Sequence, residues 1–250
     1  MFRKSCLALA VVLAISATAA AAQPSAEQLT AMLSGGVWEN QNFISIERYE
    51  TVAIPLTAEY AARRKVQIDN RAAGRQVFTP EARCIPAGMP RQMMAGGFEA
   101  LVRKDGIGLL TTGRGLEMRN IWLDGRKPTP DDELFETFSG ESIGRWEGEV
   151  LVVETHGLRR SNEFLYGVPG RTMTVSERFK FTAPGMIEVT TTVTDPAVFA
   201  TPWVYVKNYK RNPARATTEQ NYCVGALDRS VDINGVETFD LTPPPAPDPN

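Results

Sequence analysis

TMTVSERFKFTAPGMIEVTTTVT, residues 172–194, reads as two β-strands and the turn that joins them. Val175, Glu177, Phe179 and Phe181 fall on one side of the first strand, the period of two that a half-buried strand requires, and Arg178 falls on the other. Ala183-Pro184-Gly185 interrupts the run, since proline cannot donate to a ladder and glycine accepts the turn conformation. Met186–Thr194 then resumes with β-branched residues.

Working outward, the same texture begins at Phe98. Phe98–Arg103 and Ile107–Thr112 flank Lys104-Asp105-Gly106, and Leu116–Leu123 stops at Asp124-Gly125. Ser142–Glu147 and Glu149–His156 meet at Gly148, and Trp203–Lys210 closes the series. Eight short strands with local turns predict an antiparallel meander, which must close or pair with a second sheet to hide its edges. The expected fold is mainly β, an up-and-down, lipocalin-like barrel. A few N-terminal helices accompany it, packed outside the barrel or across one end. Ser25 caps one helix, with Leu29, Met32 and Leu33 on one side, and Thr57 caps a second over Ala58–Asn70. Arg83–Pro90 reads as an ordered loop, because its prolines and glycine suit neither helix nor ladder.

The termini read differently. Arg3 and Lys4 precede an apolar run from Cys6 to Ile15 and then Ala20-Ala21-Ala22, the pattern of a cleaved secretory signal over residues 1–22. The expected mature chain is exported to the periplasm, with a single barrel domain over 23–240 and a Pro-rich tail over 241–250. Losing residues 1–22 from 250 leaves 228, with 25 basic against 29 acidic side chains, so no basic stripe remains to hold nucleic acid. No stable membrane insertion is expected once the signal is cleaved. Cys84 and Cys223 are the cysteines of that mature chain. In an oxidising compartment they are a disulfide candidate, closing a loop of about 140 residues worth roughly 4–5 kcal/mol at most. Two buried thiols are the other reading.

Gly140-Glu141-Ser142-Ile143-Gly144 matches the G-x-S-x-G of a hydrolase elbow, but a β-branched strand follows where a helix is required. The only histidine, His156, lies just 14 residues downstream of that serine. The match is accidental. One histidine and two cysteines make a zinc or iron centre a poor reading, and there is no phosphate loop or dinucleotide fingerprint in strand–helix context. No cofactor is expected.

Polar residues on apolar strands are the better guide. Glu154 and His156 share a face of their strand, and a carboxylate beside an imidazole orients its tautomer for base chemistry. A solvent-exposed pair at a strand end is the alternative. Glu177, among Val175 and Phe179, must be paired or neutral, and Arg119 is its candidate partner across the barrel. Trp203, Tyr205, Lys207 and Tyr209 share a face opposite Val204 and Val206, offering stacking surface, hydroxyls and an ammonium to an aromatic ligand. Outward exposure or plain packing explains that face equally well. Trp122 and Trp146 read as core.

Several stretches together resemble a family of exported bacterial proteins. They include Cys84-Ile85-Pro86-x-Gly88, Arg119-Asn120-Ile121-Trp122-Leu123-Asp124-Gly125-Arg126 and Ser142-Ile143-Gly144-x-Trp146-Glu147-Gly148-Glu149, continuing to Leu151-Val152-Val153-Glu154-Thr155. Ser176-Glu177-Arg178-Phe179, Asp195-Pro196, Pro202-Trp203 and Tyr222-Cys223 extend the likeness to roughly residues 30–225. The chain is also similar to the γ-formaldehyde lyases that act on lignin-derived phenylcoumaran dimers. That resemblance implies a cofactor-independent carbon–carbon lyase that releases formaldehyde from a γ-hydroxymethyl group and leaves a stilbene.

On chemical grounds His156, backed by Glu154, is the expected base. Arg119, Tyr205 or Lys207 would stabilise the departing phenoxide, with Glu177 orienting a hydroxyl or anchoring Arg119, and Trp203 contributing to the aromatic wall. A periplasmic carrier for a hydrophobic small molecule, without catalysis, is the alternative, and an envelope-associated structural protein is a third reading.

Overall fold

The hairpin within residues 172–194 forms as its pattern demands. In the computed structural model, β7 (Thr174–Ala183) and β8 (Met186–Thr194) pair antiparallel, with Glu177 opposite Thr191 and Phe179 opposite Val189. The structure describes residues 23–42, 52–75, 86–112, 116–159 and 172–215, with the backbone of two short strands at 229–231 and 237–239. The expected signal, Cys84, Cys223 and the Pro-rich tail lie outside the described residues.

Nine strands close into a barrel in chain order. They are β1 (Val37–Asn40), β2 (Phe98–Arg103), β3 (Gly106–Thr112), β4 (Leu116–Trp122), β5 (Glu141–Glu147), β6 (Val150–His156), β7, β8 and β9 (Trp203–Asn212). The last two strands in sequence, β10 (Arg229–Val231) and β11 (Glu237–Phe239), pair only with each other. The predicted lipocalin-like, mainly β barrel is therefore the observed fold, and each expected strand is present within a few residues of its expected ends.

Two features depart from a plain meander. β1 was not foreseen; it closes the barrel by pairing with both β2 and β9. Its four residues are too few to show a period. The second departure is a parallel pairing of β4 with β5, through Ile121–Ser142 and Trp122–Ile143, where all other barrel pairs are antiparallel. Parallel neighbours need a crossover of a dozen residues or more rather than a hairpin. Residues 123–140 supply it, running back along the outer wall, where Thr137 bridges to Leu158.

Alternation buries apolar side chains from eight of the nine barrel strands, all but β5. Trp38, Phe98, Ile107, Ile121, Val153, Val175, Ile187 and Tyr209 are all at or below 1% exposed. Each large apolar side chain so buried contributes about 1.5–3 kcal/mol. Met89, Met93 and Met94, on and beside the short helix α3 (Gln92–Ala95), join this core, and Tyr209 Oη donates to the Met93 carbonyl. The helix α1 (Ala26–Leu33) starts at the expected Ser25 cap, which forms a reciprocal capping box with Gln28, and buries Leu29 and Leu33. Trp38 Nε1 donates to the Leu33 carbonyl at 2.8 Å, fastening α1 to the barrel. α2 (Ala58–Ala72) follows Thr57 and has no buried residue, so it is an outer decoration.

Candidate functional site

Inside the barrel, polar side chains from successive strands meet at one level. Arg119 on β4 donates from Nε to Ser142 Oγ on β5 (2.9 Å) and from Nη2 to Thr155 Oγ1 on β6 (2.9 Å). Nη2 also donates to Glu177 Oε2 on β7 (2.5 Å), in an ion pair whose two side chains are both 0% exposed. The sequence expectation that Glu177 faces inward and pairs with Arg119 is what the geometry shows. Arg178, on the other face, pairs with Glu147 outside the barrel. Ser142, 0% exposed and held between Arg119 and Thr155, has no access to a substrate, which disposes of the hydrolase match.

The layer is incompletely satisfied. Arg119 Nη1, Glu177 Oε1 and Thr191 Oγ1 are buried with no hydrogen-bond partner among the described residues. Each such group costs about 1–3 kcal/mol. Tyr205 on β9 is the register partner of Thr191 and continues the wall, with the Trp203 ring tilted against it at 4.7 Å between centroids. Lys207, 2% exposed, donates to the Asn42 carbonyl at 3.0 Å, and burial pushes its pKa down to about 8. Trp203, Tyr205, Lys207 and Tyr209 thus face inward and Val204 and Val206 outward, as alternation predicts. Both side chains of the charged pair are shielded from solvent.

An open cleft lies on the opposite side of the same wall. It encloses about 730 Å³ between the outer face of β4, the crossover 123–140 and the start of β5. Met118, Trp122, Leu134, Phe135 and Phe138 give it apolar walls, and Glu117, Asn120, Thr129 and Glu141 give it polar points. That volume lies within the range of small-molecule sites. Trp122 is therefore a cleft residue rather than core, with Arg126 stacked over its ring at 3.7 Å. Hydrogen bonds from the same guanidinium hold the Asp124 carboxyl down to about 2. Trp146 does pack against the core, stacked on Phe181.

Glu141 and His156 form the titratable pair beside this cleft. They are register partners on β5 and β6, with His156 Nε2 3.3 Å from Glu141 Oε2 and 17–20% of each side chain exposed. Thr129 donates to Glu141 from its backbone N–H (2.9 Å) and from its hydroxyl (2.8 Å), fixing the carboxylate. The Thr129 carbonyl lies 3.4 Å from the same His156 Nε2. Both neighbours of Nε2 are acceptors, so in the neutral imidazole the ring proton is assigned to Nε2 and the lone pair to Nδ1.

The backbone permits this closeness because both flanking residues are glycines with left-handed φ, Gly140 at +66° and Gly157 at +68°. A Cβ on Gly140 would lie 2.5 Å from the His156 carbonyl oxygen, and one on Gly157 would lie 2.7 Å from Leu134.

This overturns one expectation. Glu154 and His156 do share a face of β6, the outer one opposite Arg119, but Glu154 is not the carboxylate that backs the imidazole. Glu154 is 48% exposed, accepts from Ser176 Oγ and lies 3.8 Å from Arg145. The partner is Glu141, across the strand pair. The hairpin pairs Glu147 with Val150 around a two-residue turn, Gly148-Glu149. Extending that register backward sets Glu141 opposite His156, so the signal was present in the sequence. The candidate residues fall into two groups: Arg119, Glu177, Trp203, Tyr205 and Lys207 inside, His156 with the unforeseen Glu141 outside. No protein-family model and no curated protein matches the chain.

Proposed function

We propose that this protein is a cofactor-independent carbon–carbon lyase acting in the outer cleft on a small, hydroxylated aromatic compound. The observation that carries the reading is the pairing of the chain's single histidine with a hydrogen-bonded carboxylate at the edge of an open, aromatic-walled cleft. The resemblance to γ-formaldehyde lyases supplies the substrate class, a phenylcoumaran of the kind released from lignin. The N-terminal pattern supports export to the periplasm.

In this reading, His156 Nδ1 takes the proton of the substrate's γ-hydroxyl. The Cβ–Cγ bond breaks and formaldehyde departs; the released electron pair forms the Cα=Cβ double bond as the Cα–O bond to the aryl ether breaks. The phenoxide then recovers the proton from the imidazolium, so the products sum to the substrate. Glu141 keeps the ring oriented and offsets the positive charge that forms on it. Trp122, Phe135 and Met118 provide surface for the aromatic rings. The interior cations expected to meet the phenoxide, Arg119 and Lys207, are sealed from this cleft and take no part.

Binding without chemistry is the second reading. It draws support from Phe135 and Met118, which stand 77% and 44% exposed at the cleft, as an apolar ligand cup would present them. Incubating purified protein with a panel of phenylcoumarans and related dimers separates the two. The lyase reading expects formaldehyde and a stilbene absorbance band from wild type. Quenching of tryptophan fluorescence by the same compounds with no formaldehyde would leave the carrier.

A further inference from the structure

We infer that the buried Arg119–Glu177 layer is a positioning device for the Glu141–His156 pair on the other side of the barrel wall, an inference that rests on the cleft being the working site. The layer and the pair are built on the same rungs. Ser142 and Thr155, the two hydroxyls that Arg119 grips, are register partners of one another. Each is the chain neighbour of one member of the pair, Ser142 of the cleft-lining Glu141 and Thr155 of His156. Adjacent residues on a strand point to opposite faces, so fixing one fixes the other.

The place that needs fixing is identifiable. β4 carries one wall of the cleft and β5 carries Glu141, yet the two strands share just two residue pairs and are parallel. Arg119 crosses this seam with its Nε–Ser142 bond and continues over β6 to β7, so one side chain ties four strands. The neighbouring β3–β4 and β5–β6 seams each hold seven pairs and need no such tie.

Stability alone does not account for the pair. It is single-ended, leaving Arg119 Nη1 and Glu177 Oε1 without a partner among the described residues, and buried pairs of this kind are commonly matched or bettered by apolar residues. What apolar replacements cannot reproduce is the directional grip on Ser142 and Thr155. The imidazole itself is faced by Glu141 from β5 and by the Thr129 carbonyl from the crossover.

The double variant Arg119→Met/Glu177→Leu tests this, because His156 is the sole histidine and gives one imidazole signal by NMR. In wild type the ring proton is expected on Nε2. In the variant, with the melting temperature within about 4 °C of wild type, we expect mixed tautomers and a moved titration midpoint. Formaldehyde release should fall by on the order of 10- to 100-fold. Thr155→Val, which removes one bond of the grip and keeps the shape, is expected to do the same more weakly and decides the matter if the double variant does not fold. Unchanged tautomer and titration in whichever variant folds would overturn the inference. Absence of formaldehyde from wild type defeats the lyase reading alone, since the imidazole comparison needs no substrate.

Discussion

Glu177 and Glu141 are two carboxylates on one barrel wall, each facing a nitrogen base, and their surroundings give them opposite tasks. Glu177 meets Arg119 at 2.5 Å with neither side chain exposed, while Glu141 meets His156 at 3.3 Å beside an open cleft. Inside, both partners are buried away from solvent, so the pair is architecture. Outside, a histidine that can gain or lose a proton stands beside a carboxylate a ligand can approach. A one-residue step along β5 or β6 separates these two environments, which shows how thin the line is between a structural and a chemical residue in a β-barrel.

The sharpest way to break this contrast is to remove one interior partner. Glu177→Ala leaves the Arg119 charge buried alone and is expected to cost about 3–5 kcal/mol, measured by denaturant unfolding. A cost below about 1 kcal/mol would mean that water reaches the layer. Gly140→Ala attacks the boundary between the two environments. Its Cβ would fall 2.5 Å from the His156 carbonyl at a φ of +66°, and a loss of about 1–3 kcal/mol is expected in the same assay.

Lys207 sharpens the interior side. Burial lowers its pKa from 10.5 to about 8, so between those values the unfolded chain holds the proton that the folded protein has released. Stability therefore rises as pH increases from about 8 to 10.5 and carries a constant penalty below that window. Lys207→Met is expected to raise the melting temperature at pH 7 and to flatten that rise, as a melting series across pH would show. The smallest effect belongs to the exposed outer face. Glu154→Gln is expected to change stability by less than about 0.5 kcal/mol, whereas Glu141→Gln should lower formaldehyde release by on the order of 10- to 100-fold.

Much of this was legible in the chain. The period of two in Val175–Phe181 and Trp203–Tyr209 orients those strands as found, and an isolated glutamate among apolar neighbours required the arginine it has. Other features left weak or misread traces. Four residues at Val37–Asn40 cannot display a period. The stretch between β4 and β5 is too long for a tight turn and carries three ladder-breaking features, Gly125, Pro128 and Pro130, which mark a crossover rather than a hairpin. The cleft forms from that crossover folding onto β4, a long-range contact that local patterning does not encode. A turn at Gly148 alone does not set Glu141 opposite His156. The two-residue turn Gly148-Glu149 points across the ladder to Glu141.

The most direct test of the central claim is the rate of formaldehyde release from a phenylcoumaran by wild type and by His156→Gln at equal folded concentration. The cleft account predicts release by wild type and a loss of at least about 100-fold in the variant. Wild-type rates in His156→Gln, with the activity lost instead in Lys207→Met, would contradict it and place the chemistry inside the barrel.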